Sequence, residues 1–184
     1  MQNKIFKLGI TLFAIAAVSG LILGVTNAVT EGPIAQQTVE AANAARQSVL
    51  PEAADFQLVS EAKDDVKDIY EGTDASGNPV GYTAMTTVKG YGGEIEVTIG
   101  VDMDGTVTGV NVGGANFSET AGLGAKTKEP WFAQQFVGAT TPIQLTKDGG
   151  SMDAVTSATI SSRAVTGGVN TIATYLTTLA KEGK

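Results

Sequence analysis

Asp153-Ala-Val-Thr-Ser-Ala-Thr-Ile-Ser-Ser162 places five hydroxyls in seven residues, Thr156 through Ser162, with one acid ahead of them. Behind it, Val165, Val169, Ile172, Leu176 and Leu179 recur at spacings of 4, 3, 4 and 3. That period is one face of an amphipathic helix. Ser and Thr at such a junction read as a helix start, because their oxygens accept from backbone N–H groups that the first turn leaves unpaired. The hydroxyl cluster therefore belongs on the N-terminal turn of the last helix. Unpaired N–H groups and the positive end of the helix dipole favour a phosphate there. A plain helix cap accounts for the same residues.

Upstream, the chain reads as strands and turns from Phe56. Val66 to Tyr70 leads into the turn cluster Thr73-Asp-Ala-Ser-Gly-Asn-Pro79. Val80 to Val88 returns, with Val80, Tyr82, Ala84, Thr86 and Val88 on one face. Gly90-Tyr-Gly-Gly93 breaks it. Glu94 to Met103 and Thr106 to Val112 flank Asp104-Gly105, a two-residue hairpin signal. Ile95, Val97 and Ile99 alternate with polar residues, Val107, Val110 and Val112 point the same way, and Gly109 marks a bulge or a close approach. The expected fold class is α+β: a twisted antiparallel sheet of about four strands, its apolar face covered by helices that include the long C-terminal one. Lys128 to Phe136 reads as a short helix beginning near Pro130, with Trp131 and Phe132 as either cofactor flanks or core plugs. Ile143 and Leu145 suggest a short strand.

Residues 8–30 carry no charge. As a helix they would span roughly 35 Å, enough to cross a bilayer core. Lys4 and Lys7 precede the run and Glu31 follows it, so the positive-inside rule places the N-terminus in the cytoplasm and the remainder outside. A cleaved signal peptide is the alternative, but the apolar run is long for one and Thr26-Asn27-Ala28 is a poor cleavage site. Pro33 suits the first turn of a second helix over residues 34–49 that ends before Pro51. The expected organisation is a cytoplasmic segment 1–7, a transmembrane anchor 8–30, a helical connector 31–52 and an extracytoplasmic domain 53–184.

Composition narrows the chemistry. The 184 residues carry 12 bases and 19 acids; Lys4 and Lys7 lie ahead of Glu31, leaving 10 bases against all 19 acids, a net −9, from there on. Such a balance argues against nucleic acid and suits a basic protein partner. The chain has no Cys and no His. That excludes disulfides, Cys-ligated metal or iron–sulfur centres and a His-based triad. No catalytic residues and no metal ligands are assigned. A redox role would need a bound organic cofactor.

Two motifs carry a resemblance. Asp153-x-x-Thr156-Ser157-Ala158-Thr159 resembles the Asp-x-x-Ser/Thr-Gly-Ala-Thr motif of FMN-binding domains that hold flavin covalently. Glu119-Thr120-Ala121-Gly122-Leu123-Gly124 resembles the Glu-Thr-Pro-Gly-Leu-Gly loop that lies against the flavin in the same family. Ser157 stands where the family often has Gly, and Ala121 where it has Pro. Many relatives carry a His just before the loop's Glu, and this chain has none. The chain as a whole is similar to the G subunit of the Rnf electron-transport complex. That resemblance implies FMN held through a phosphoester on Thr159, installed by a Mg-dependent flavin transferase with FAD as donor. It implies that Thr156, Ser157, Ala158 and Asp153 surround the attachment point, and that Glu119, Thr120, Gly122, Leu123 and Gly124 meet the flavin. It further implies a place in the cytoplasmic membrane of a bacterium or archaeon, with other membrane and redox subunits of an Rnf-type complex as partners. The complex would couple ferredoxin oxidation and NAD reduction to Na+ or H+ movement. The C subunit of the Na+-pumping NADH:quinone reductase and a stand-alone extracytoplasmic flavoprotein share these features. An anchored binding module without redox function is the rival from another class.

Overall fold

A computed structural model of the chain describes residues 2–182. Helix α1 (Gln2–Val49) is followed by strands β1 (Asp55–Lys63), β2 (Val66–Thr73), β3 (Pro79–Lys89), β4 (Glu94–Asp102) and β5 (Val107–Gly113), a short helix α2 (Pro130–Gln134) and the long helix α3 (Thr159–Glu182). Two compact units are present, one ending at Ala42 and the other beginning at Asn43. In the first, α1 is long and apolar enough to cross a membrane. Leu12, Phe13, Leu21 and Leu23 are all exposed along it, an apolar surface that water does not tolerate and lipid does. Pro33 opens no second helix: α1 runs through it without a break. The proline forgoes its own N–H bond to the preceding turn, and its ring crowds the carbonyl four residues back, yet the helix is not ended there.

The second unit is built on one antiparallel sheet in the order β1-β2-β3-β4-β5. It has five strands where about four were expected. The additional one, β1, hides its alternation behind a bulge: Leu58 pairs with Tyr70, but Ser60 pairs with Ile69. Val59 is the extra residue, and both it and Leu58 are exposed. The β4–β5 turn is wider than the Asp-Gly pair predicts. Asp102 N donates to Thr106 O, so Met103, Asp104 and Gly105 all lie in the loop. The Asp102 carboxylate accepts from Asp104 N at 2.9 Å and Thr106 N at 2.8 Å, capturing the amides that a tighter turn would not expose. Gly105 takes φ +89°, open to glycine at little cost.

Each face of the sheet is covered differently. Ile95, Val97, Ile99 and Val101 of β4 point to α3, whose Val165, Val169, Ile172 and Leu176 are fully buried against them. Phe132 and Phe136 close the core at one end, their rings edge to face at 5.5 Å. The other face carries Gly72, Gly81, Gly100 and Gly109 from four adjacent strands, Gly72 paired with Gly81 and Gly100 with Gly109. A Cβ on Gly100 or Gly109 would run into the backbone of Val49 and one on Gly72 into the side chain of Leu50, while one on Gly81 would strike the Val101 carbonyl first and press on Leu50 as well. The last turn of α1 thus lies directly on the sheet, and Thr108 Oγ1 donates to Val49 O at 2.6 Å to fasten it. The bulge or close approach expected at Gly109 is present in both senses. The register shifts beside it, and Val49 packs onto it.

Candidate functional site

The start of α3 is shaped by two turns folded on each other. Ala158 N donates to Val155 O at 3.0 Å. Ser162 Oγ accepts from Val155 N and donates to Ala158 O, both at 3.0 Å. Ser162 N is the first in α3 to reach back, to Ala158 O, which leaves the N–H groups of Thr159, Ile160 and Ser161 as the open donors of the helix end. Ser157 sits at φ +62°. A side chain there costs roughly 1–2 kcal/mol that glycine avoids. The tight turn is formed all the same, which accounts for the family's Gly at this position.

Opposite α3, residues 119–124 are held by Glu119. Its side chain is buried, with Oε1 accepting from Gly92 N at 3.0 Å and Oε2 accepting from Ser161 Oγ at 2.9 Å. Gly90 and Gly124 leave room for that carboxylate, since a Cβ on either would collide with it. Thr127 Oγ1 then donates to Gly124 O at 2.7 Å and closes the following 3-10 turn, Gly124–Lys128.

Between the two segments lies a cleft of about 430 Å³. This is within the range of roughly 300–1,000 Å³ common for small-molecule sites. Glu119, Thr120, Leu123 and Gly124 form one wall and Ser157, Ala158 and Thr159 the other. The structure therefore brings the two sequence motifs, which are widely separated in the chain, to one site. Three predicted residues do not line it. Thr156 and Gly122 are exposed outside it. Asp153 is fixed by its backbone to the end of α2: Gln135 Oε1 accepts from Asp153 N at 2.7 Å, and Gln135 Nε2 donates to Asp153 O at 3.2 Å. Phe132 is a core plug rather than a cofactor flank. Trp131 also lies outside the cleft, its Nε1 donating to Glu129 Oε2 at 2.7 Å.

Of the five clustered hydroxyls, those of Ser157, Thr159 and Ser161 line the cleft; Ser157 precedes α3, Ser161 is buried and bonded to Glu119, and Thr159 is the first residue of the helix with its hydroxyl at the open end. Ser162 is buried and bonded to Ala158, and Thr156 lies outside the cleft. Thr159 Oγ1 accepts a hydrogen bond from Lys147 Nζ at 3.2 Å. Apolar surface surrounds this polar corner: Leu123 is 41% exposed, Ile160 55% and Tyr91 74%, and all three line the cleft. Lys147, Tyr91 and Ile160 were not singled out from the sequence. Tyr91, an aromatic set between Gly90 and Gly92-Gly93, was the one visible signal; nothing local to Lys147 distinguishes it. Among the described residues, no cluster of acids suited to a metal ion is present.

The FMN-binding domain family matches residues 90–174, and the RnfG N-terminal region family matches residues 1–49. The chain is 40% identical over 187 aligned residues to the G subunit of the Na(+)-translocating ferredoxin:NAD(+) oxidoreductase complex of Acetobacterium woodii, covering 90% of this chain and 88% of that protein. It is 37% identical to the G subunit of the ion-translocating oxidoreductase complex of Methanosarcina acetivorans, covering 99% and 98%. Among solved structures, NqrC of Shewanella oneidensis shares the fold, with TM-score 0.54, 20% identity and coverage of 72% of this chain and 73% of that one.

Proposed function

The chain belongs to the family of G subunits of Rnf-type ion-translocating oxidoreductase complexes, and on that premise we propose that it is a membrane-anchored electron carrier with FMN joined to Thr159 by a phosphoester. The observation that carries the attachment is the position of the Thr159 hydroxyl, at the cleft, beside open N–H donors and 3.2 Å from an ammonium. Those groups suit a phosphodiester: N–H donors and a cation oppose its charge, while Leu123, Ile160 and Tyr91 offer apolar walls for a flat ring. Attachment by a transferase using FAD would form the Thr159 Oγ–P bond and break the P–O–P bond of the donor. AMP leaves, and the hydroxyl proton passes to a base on the transferase. Bound FMN supplies the electron chemistry. The protein's part is to fix the phosphate at the head of α3, to keep water from one face of the ring with Leu123 and Ile160, and to hold the 119–124 wall in place through Glu119.

The rest of the reading follows the same premise. Residues 8–30 anchor the chain with the N-terminus in the cytoplasm, as Lys4 and Lys7 favour, and the cofactor domain outside. Electrons pass between this domain and neighbouring subunits of the complex, where the net −9 charge of residues 31–184 favours a basic partner surface.

The test is in-gel ultraviolet fluorescence of the denatured full-length chain after co-expression with a flavin transferase. We expect the wild type and Thr156→Ala to fluoresce and Thr159→Ala to be dark. A dark wild type beside a transferase shown to be active on another substrate would sink the covalent-flavin reading.

A further inference from the structure

Lys147 reaches Thr159 from a turn with no role in the cleft's own walls. It sits in a 3-10 turn, Thr146–Asp148, that is braced on both sides. On the inner side, Leu145 is buried, Thr146 N donates to Met152 O at 2.8 Å and Met152 N donates to Gln144 O at 3.1 Å. On the outer side, Arg163 of α3 forks onto Asp148, with Nε 2.9 Å from Oδ2 and Nη2 2.6 Å from Oδ1. Gly149, at φ +93°, ends the turn. The residues on either side of Lys147 are therefore fixed to the body of the domain, and Lys147 points its charge at the Thr159 oxygen. The fork has a second consequence. Arg163, also a cation near the head of α3, is occupied by Asp148, so the charge available to an anion on Thr159 is that of Lys147.

We propose that Lys147 is a positioning residue for flavin attachment: its ammonium presents Thr159 Oγ1 to the flavin donor and then pairs with the phosphodiester that forms. This rests on the covalent-flavin reading above. An ammonium beside the hydroxyl lowers the cost of the negative charge that develops on Oγ1 as its proton leaves. The same ammonium then offers a charge-assisted hydrogen bond to a phosphate oxygen. The balance of the transfer is unchanged, since Lys147 makes and breaks no covalent bond and the Thr159 proton still goes to the base on the transferase.

The experiment uses the full-length chain, with limiting transferase and FAD, in wild type, K147R, K147M and K147E. The first readout is the initial rate of in-gel fluorescence. We expect K147M to label about tenfold more slowly, the size of a lost charge-assisted bond, K147R to recover most of that loss and K147E to be slowest. The wild-type rate should also fall more steeply with salt than that of K147M. Equal rates for wild type and K147M, or no recovery in K147R, overturn the proposal. The second readout is the phosphorus-31 resonance of the purified flavinylated chain, which should move between wild type and K147M. Slower labelling with an unmoved resonance would mean that Lys147 serves the transferase and not the phosphate, which also overturns it. A wild type that stays dark overturns the parent reading instead, and this one with it.

Discussion

The sheet is closed on one face by side chains and on the other by main chain. Toward α3, Ile95, Val97, Ile99 and Val101 meet a helix through interdigitated aliphatic groups. Away from α3, the glycines at 72, 81, 100 and 109 remove their side chains so that Val49 and Leu50 can approach the strands. The first arrangement draws its stability from area removed from water. The second depends on proximity, because a glycine has nothing smaller to be exchanged for. One face should therefore weaken by degrees as its residues shrink, and the other should fail as its residues grow.

That contrast can be broken by substitution, read as thermal unfolding of the full-length chain in detergent micelles. Ile172→Ala, in the middle of the α3 interface, should cost about 2–5 kcal/mol. A loss no larger than that of a surface exchange would mean that α3 is not the principal cover. Gly100→Ala should cost about 1–3 kcal/mol, because the new Cβ meets the Val49 carbonyl, which is backbone and cannot rotate away. Gly167→Ala makes the same chemical change on the open side of α3, where nothing lies within 4 Å of the new atom. It should stabilise by up to about 1 kcal/mol through helix propensity. If both glycine exchanges moved stability in the same direction, close approach would not be what the sheet glycines provide. Thr108→Val should cost about 1 kcal/mol, the worth of the bond to Val49 O.

The smallest effect is a pH dependence at the head of α3. The hydrogen bonds from Arg163 hold the Asp148 carboxyl below its ordinary value of 3.8. A lowered folded value means that the pair's contribution is fully present above 3.8 and is lost as pH falls through the lowered value. Both groups are solvent-exposed, so the change is slight. Comparing the wild type with Asp148→Asn across this range should show a difference in melting temperature that narrows as the acid is protonated. A difference that is unchanged with pH would remove the ion pair from the account of how Lys147 is held.

The α3 face was legible because its signals are local. Val165, Val169, Ile172 and Leu176 repeat at helical spacing, and Ile95, Val97 and Ile99 alternate as a strand facing them. The glycine face was legible only at Gly109. Gly72, Gly81 and Gly100 carry no local signal, since the segment packed over them, Val49-Leu50, lies outside the sheet and shows no strand period that points to it. In the cleft, the two motifs identified most of both walls. Thr156, Gly122 and Asp153 came with them by adjacency in sequence, while a turn at φ +62° on Ser157 carries the chain so that Thr159, and not Thr156, reaches the site. Lys147 could not have been found from the sequence. Its contact depends on a three-residue turn and an Arg163–Asp148 pair whose partners are 15 residues apart.

Glu119 has a consequence for the order of events during folding. Its carboxylate joins Gly92, 27 residues before it, to Ser161, 42 residues after it. The pair of bonds is complete only when both the β3–β4 hairpin and the first turn of α3 have reached Glu119, and contacts of such separation require closing long loops first. The cleft is consequently a product of the finished domain rather than of any fragment of it. Hydrogen exchange should find the Gly92 amide unprotected in a chain truncated before Thr159. A transferase that reads the assembled cleft would then label only chains that have completed their fold.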